Sequence, residues 1–182
     1  MLEAKIFSMM WPACAYFLRD GFSELRALEE LDVFDLRLLA AIQAKGDMTQ
    51  AELSEIVHLS PTQCARRLQR LRADGYVRDI VAILDPERLG INIIAHTLVG
   101  LRNHDDETGK AFRAFVDTAD EVVECWSQTG DADYLLKIMV RDLGELASLI
   151  ERLITAVGGF ASLRSFVALK AIKRTTEVPI RA

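Results

Sequence analysis

Thr49-Gln50-Ala51-Glu52-Leu53-Ser54-Glu55-Ile56-Val57-His58-Leu59-Ser60-Pro61-Thr62-Gln63-Cys64-Ala65-Arg66-Arg67-Leu68-Gln69-Arg70-Leu71-Arg72 decides the reading of this chain. Thr49 and Glu52 form a capping box, in which a hydroxyl and a carboxylate satisfy amides that a helix start leaves unpaired. Leu53, Ile56 and Val57 give the helix behind it one apolar face. The signal then recurs: Ser60 is a cap, Pro61 suits the first helical position, and Gln63 closes a second box. The link between the two helices is too short for anything but a tight turn, so they cross steeply, as in a helix-turn-helix.

On the later helix Cys64, Leu68 and Leu71 share one stripe, the side that must face a core. Thr62, Gln63, Arg66, Gln69 and Arg70 fall on the other side, with Arg67 at the border, where it serves either DNA or packing and a salt bridge. Between Pro61 and Arg78 five arginines (Arg66, Arg67, Arg70, Arg72 and Arg78) stand against the single acid Asp74, a local charge of +4. Arginine donates two bonds to guanine, glutamine pairs with adenine, and both hold phosphates. The expected DNA-binding set is therefore Thr49, Gln50, Ser60, Thr62, Gln63, Arg66, Arg67, Gln69, Arg70 and Arg78.

Working outward, Leu31, Phe34, Leu38, Leu39 and Ile42 recur at helical spacing up to the turn pair Gly46-Asp47, giving a first helix. Asp74-Gly75 ends the basic helix. Residues 76–84 read as a short strand pair or wing, and residues 85–90 as a linker. The DNA-binding domain is thus expected at residues 31–84. A net charge of −5 over 182 residues argues against a nonspecific nucleic-acid coat, and it leaves room for this local basic face.

Residues 91–182 read as a second domain. Residues 91–101 form a nearly continuous apolar run, as in a strand covered on both faces, and residues 105–119 a helix with Phe112, Phe115 and Val116 on one side. Two strands, 122–129 and 133–140, meet at Gly130-Asp131-Ala132. Asp142 caps a helix with Leu143, Leu146, Leu149, Ile150, Leu153 and Ile154 on its stripe, and residues 162–170 close as a strand. The fold class is α+β: a winged helix-turn-helix followed by a ferredoxin-like βαββαβ domain. With both sides of the strands apolar and no third helix to cover them, a second copy of the chain is the expected cover, hence a homodimer. Thr129, Gly130, Asp131, Asp133 and Tyr134 are either a binding loop suited to an ammonium-bearing ligand or a plain hairpin tip backed by sheet core.

Residues 1–30 stand apart. The apolar run 6–18, broken by Pro12, has Lys5 beside Glu3 in place of a basic leader and is too short to span a membrane. Three readings stand: an export signal, an amphipathic segment packing on a partner, or a leader upstream of a start at Met9 or Met10. Cys14, Cys64 and Cys125 form no CxxC pair, which fits a reducing cytoplasm. No cofactor, metal or membrane is expected, and no Ser-His-Asp, HExxH or P-loop spacing argues for an enzyme.

Leu31-Asp32-x-x-Asp35, Leu38-Leu39, Glu52-Leu53, Leu59-Ser60-Pro61-Thr62, Arg67-Leu68, Leu71 and Gly75-Tyr76-Val77 together resemble the Lrp/AsnC family of transcription regulators. Leu84-Asp85-Pro86, Leu89-Gly90, Thr129-Gly130-Asp131-x-Asp133-Tyr134-Leu135-Leu136 and a closing segment near Pro179 continue the likeness in order, over residues 31 to 180. The resemblance implies control of amino-acid metabolism, assemblies of dimers up to octamers, and an amino-acid effector at the Thr129–Tyr134 loop between subunits. It also brings one enzymatic alternative, since some relatives are haem-pathway decarboxylases that use histidines near a tetrapyrrole. Here only His58, His96 and His104 could serve.

Overall fold

The computed structural model describes residues 31–103 and 105–180, so the readings made for residues 1–30 and for His104 lie outside the described residues. Contacts divide the described residues into two units: 31–82 with 175–180, and 83–174. By contacts, residues 175–180 group with the first unit, where Gln43 Nε2 donates to the Val178 carbonyl.

The first unit is built on three helices. α1 (Val33–Ala44) starts at Asp32, whose Oδ1 accepts hydrogen bonds from the Phe34 and Asp35 amides, both at 2.9 Å. Asp35 Oδ2 returns the favour to the Asp32 amide at 3.2 Å, completing a capping box of two aspartates. α2 (Gln50–Val57) is capped by Thr49 and stops at His58, which adopts a left-handed backbone with φ 59° and so turns the chain sharply. Ser54 Oγ donates to the Leu59 carbonyl at 2.6 Å across that turn. α3 (Pro61–Ala73) follows from Ser60. Leu38, Ala41, Leu53, Val57, Cys64, Leu68 and Leu71 make the core of this unit, the α3 stripe among them.

No ladder forms in residues 76–85, so the expected strand pair is absent there, and Val81, Ile83 and Leu84 are exposed. A strand needs a partner edge for its backbone groups, and none of the described strands supplies one here. The linker contains a single 3-10 turn, Glu87–Leu89.

The second unit runs β1 (Ile93–Leu101), α4 (Asp106–Thr118), β2 (Val122–Ser127), β3 (Tyr134–Val140), α5 (Leu143–Val157), β4 (Phe160–Val167). The sheet order is β2-β3-β1-β4, with every neighbouring pair antiparallel. Alternate residues of β1 and β3 (Ala95, Val99, Leu136, Ile138) pack with Phe112 of α4 and Leu149 and Leu153 of α5 into one core. Asp105 and Asp142 cap the two helices through the Thr108 and Glu145 amides, at 2.8 and 2.9 Å. The alternate positions line the other face, where Glu124 and His96 pair with Lys137, Trp126 pairs with Leu135, and Phe166 pairs with His96. On that face Trp126 is 61% and Phe166 55% exposed.

Candidate nucleic-acid interface

Both capping boxes take the predicted form. Thr49 Oγ1 accepts from the Glu52 amide at 3.2 Å and Glu52 Oε2 from the Thr49 amide at 2.6 Å; the Thr49 amide first, then its hydroxyl and the Lys45 ammonium 3.2 Å away, hold the Glu52 carboxyl down at about 2. Ser60 Oγ accepts from the Gln63 amide at 3.3 Å, and Gln63 Oε1 from the Ser60 amide at 3.1 Å. The Ser60 hydroxyl also donates to Gln63 Oε1 at 2.9 Å. Thr49 thus fixes the start of α2, and Ser60 and Gln63 fix how α3 leaves the turn.

The arginines of α3 divide into two kinds. Arg67 lies 2.8 Å from Asp35 Oδ1 and 2.7 Å from Asp32 Oδ2, with its guanidinium 5.7 Å above the Phe34 ring. Arg70 donates to the other oxygen of Asp35. Asp35 is completely buried, while the side chains of Arg67 and Arg70 keep 24% and 48% exposure. A buried carboxylate needs such partners, because desolvation without them would be prohibitive. The bond to Asp35 is the leading reason that the Arg67 guanidinium is pushed above its usual range. Asp32 is held below the usual carboxylate range: partial burial opposes this, and hydrogen bonds from the Asp35 amide and Arg67 outweigh it.

Arg66 is exposed and forms no ion pair with any described residue. Together with Asp32, Arg67 and Arg70 it lines an open cleft of about 390 Å³. Thr62, Gln69 and Arg78 are exposed, as are Thr49 and Gln50 at the start of α2. Residue-by-residue reading missed Asp32 and Asp35, which it had met only as landmarks of a resemblance. The signal was available in Asp32-x-x-Asp35 ahead of an apolar run, a capping box in which the second acid sits on the core side of α1.

The candidate effector residues do not stay together. Thr129, Gly130 and Asp131 form an exposed tip, with Gly130 at φ 123°, a conformation that side chains rarely adopt. Asp133 lies inward of it: its Oδ2 accepts from the Leu101 amide at 2.7 Å and its own amide donates to the Val99 carbonyl at 2.9 Å, tying the start of β3 to the irregular end of β1. Tyr134 is 8% exposed, with its ring centroid 4.3 Å from that of Phe112; burial pushes its hydroxyl up. Of the two alternatives left for Tyr134, its contacts are those of sheet core.

Among the described residues no group of histidines, cysteines and carboxylates could hold a metal ion, and no helix is long and apolar enough to cross a membrane. Residues 31–78 match a family profile described as winged helix-turn-helix DNA-binding, and residues 94–178 one described as the Lrp/AsnC ligand binding domain. The DNA-binding transcriptional activator DecR of Escherichia coli K12 is 35% identical over 150 residues, 82% of this chain and 99% of that protein. The chain belongs to the Lrp/AsnC family.

Other members support the same placement of this Lrp/AsnC protein. The glutamate uptake regulatory protein of Zymomonas mobilis is 31% identical over 153 residues, covering 84% of this chain and 93% of that one. An AsnC family regulator from Agrobacterium tumefaciens superposes with a TM-score of 0.77 at 33% identity, covering 82% of this chain and 97% of that one. A Neisseria meningitidis transcriptional regulator solved with L-methionine gives 0.78 at 34%, covering 82% and 96%. This Lrp/AsnC chain is a DNA-binding transcription regulator: an N-terminal winged helix-turn-helix followed by a ligand-binding, ferredoxin-like α+β domain.

Proposed function

We propose that the chain controls genes of amino-acid metabolism as a cytoplasmic homodimer that assembles further, up to octamers, and reads DNA with α3. The single observation that carries the DNA reading is the exposed Arg66, without an ion-pair partner among the described residues, on a capped helix where Asp35 holds Arg67 and Arg70. In this reading Arg66, Gln69 and Thr62 face bases in the major groove, and the half-exposed Arg70 reaches a base or phosphate from its tether. Thr49 and Gln50 offer a helix N-terminus to the backbone, Arg78 takes a phosphate, and Arg67, Ser60 and Gln63 shape the surface. Two copies then address half-sites about one helical turn apart or a multiple of it.

The effector reading assigns an amino acid to the exposed tip Thr129, Gly130 and Asp131, with Asp133 and Tyr134 holding that tip in place. It is supported by the methionine complex of the Neisseria relative and by the names of the glutamate uptake and leucine-responsive regulators among the relatives. Trp126, Leu135 and Phe166 on the uncovered sheet face support the homodimer. We read the chain as non-catalytic: its relatives are transcription regulators, His58 is exposed, and His96 lies on the open face beside Lys137.

The deciding experiment is a mobility-shift assay on DNA from upstream of the chain's own gene, repeated with each of the twenty amino acids. A specific complex that at least one amino acid strengthens, weakens or resizes is the expected result. No preference for that DNA over random duplex would remove the proposal.

A further inference from the structure

The three helices of the reading domain carry an addition from the far end of the chain. After β4 the chain runs on to residues 175–180, which belong to the same unit as α1, α2 and α3. The junction is made by Gln43 on α1: its Nε2 donates to the Val178 carbonyl at 3.1 Å, and its Oε1 accepts from the Val178 amide at 3.1 Å. A primary amide carries the same donor and acceptor as a peptide group, so Gln43 pairs with Val178 as a neighbouring strand would. Both backbone groups of Val178 are engaged, 135 residues away in sequence, while its side chain stays 64% exposed. Thr175 Oγ1 accepts from the Glu177 amide at 3.1 Å and shapes the approach, and Pro179, which has no amide hydrogen, follows the paired residue.

Two consequences follow from chain topology. The reading unit is joined to the ligand-binding unit by two crossings of the chain, at residues 82–83 and again at 174–175. The second crossing ends on the helix that supplies Asp35, the residue gripping Arg67 and Arg70. Two exposed hydrogen bonds are individually weak and open easily, as a reversible contact requires.

We propose that residues 175–180 are a latch: docked on Gln43, they carry the state of the ligand-binding domain's last strand to α1, and through Asp35 to the guanidinium groups of the DNA-reading helix. The proposal rests on α3 being the DNA-reading element. Coupling of this kind needs a demonstrated effect at both ends.

The test uses the full chain. Hydrogen exchange at the Val178 amide reports docking, and mobility shift on DNA upstream of the chain's gene reports reading. Gln43→Ala accelerates Val178 exchange about tenfold or more. Gln43→Ala, Val178→Pro, which removes the tail's donor and leaves α1 intact, and a chain ending at Arg174 all change DNA affinity in one direction by about fivefold or more. Thermal unfolding like that of the parent keeps these results apart from misfolding, and Val178→Pro stands if Gln43→Ala fails to fold. Equal Val178 exchange in the parent and Gln43→Ala overturns the docking. Faster exchange with unchanged DNA affinity in both point variants overturns the latch. A parent chain that ignores DNA while protecting Val178 overturns the reading beneath it, and is seen separately.

Discussion

The buried carboxylate of Asp35 holds the Arg67 guanidinium at 2.8 Å across 32 residues of sequence, joining α1 to α3, the helix proposed to read DNA. Its second oxygen binds Arg70, so one acid holds two of the four arginines of α3. Removing it leaves two guanidinium groups short of a partner in a partly desolvated place. Asp35→Ala is expected to destabilise the protein by about 3 kcal/mol, the low end for breaking a buried pair because both arginines keep some solvent. Urea unfolding measures it, and a loss under about 1 kcal/mol would mean that the pair contributes little.

Arg66 and Arg67 are neighbours with opposite expected phenotypes. Arg66→Ala lowers affinity for the cognate DNA by about 1–3 kcal/mol with an unchanged melting temperature. Arg67→Ala strips Asp35 and Asp32 of their shared cation and acts first on stability. Paired mobility-shift and melting curves separate the two, and an Arg66→Ala protein with parental affinity contradicts its assignment.

Glu52 makes the capping box of α2 sensitive to acid. Its carboxyl titrates at about 2 in the folded chain against 4.5 ordinarily, so its contribution is fully present above 4.5 and is lost as pH falls through about 2. Unfolding of the parent and of Glu52→Ala should therefore converge across that window, and an NMR titration of the Glu52 side chain with a midpoint near 4.5 would count against the box.

Asp131 and Asp133, two residues apart, are expected to behave differently. Asp133→Ala leaves the Leu101 amide without its acceptor and costs about 1–3 kcal/mol. Asp131→Ala should leave unfolding unchanged and abolish the response of DNA binding to whichever of the twenty amino acids shifts the parent. A retained response in Asp131→Ala moves the effector site away from the tip.

The open sheet face is tested with Trp126→Asp. A charge at Trp126, beside Leu135 on the face that also carries Phe166, is expected to lower the sedimentation mass to that of one chain while the circular dichroism spectrum holds. An unchanged mass would place the subunit contact elsewhere.

Much of this was legible locally. The caps Thr49, Ser60, Asp105 and Asp142 act within three residues of themselves, so their meaning lies in their immediate sequence. The stripe Cys64, Leu68 and Leu71 is set by the helix period and is buried as its pattern predicts. That a capped basic helix after a tight turn belongs to a helix-turn-helix, and that β-α-β-β-α-β closes into one sheet with two helices, followed from the same short-range rules.

What tertiary structure alone decided are the partnerships that span long loops. Periodicity places Arg67 at a border and Arg70 on an outer face, and it cannot say that Asp35 reaches both. Local pattern starts a strand at Asp133 and leaves Tyr134 between binding loop and sheet core; it cannot say that Asp133 accepts from the Leu101 amide or that Tyr134 packs on the Phe112 ring. Nothing in residues 175–180 announces that Val178 returns to Gln43. Periods and caps are properties of neighbouring residues and are written in their order; an ion pair or a docked tail depends on where folding brings distant segments, and the chain's order does not encode that distance.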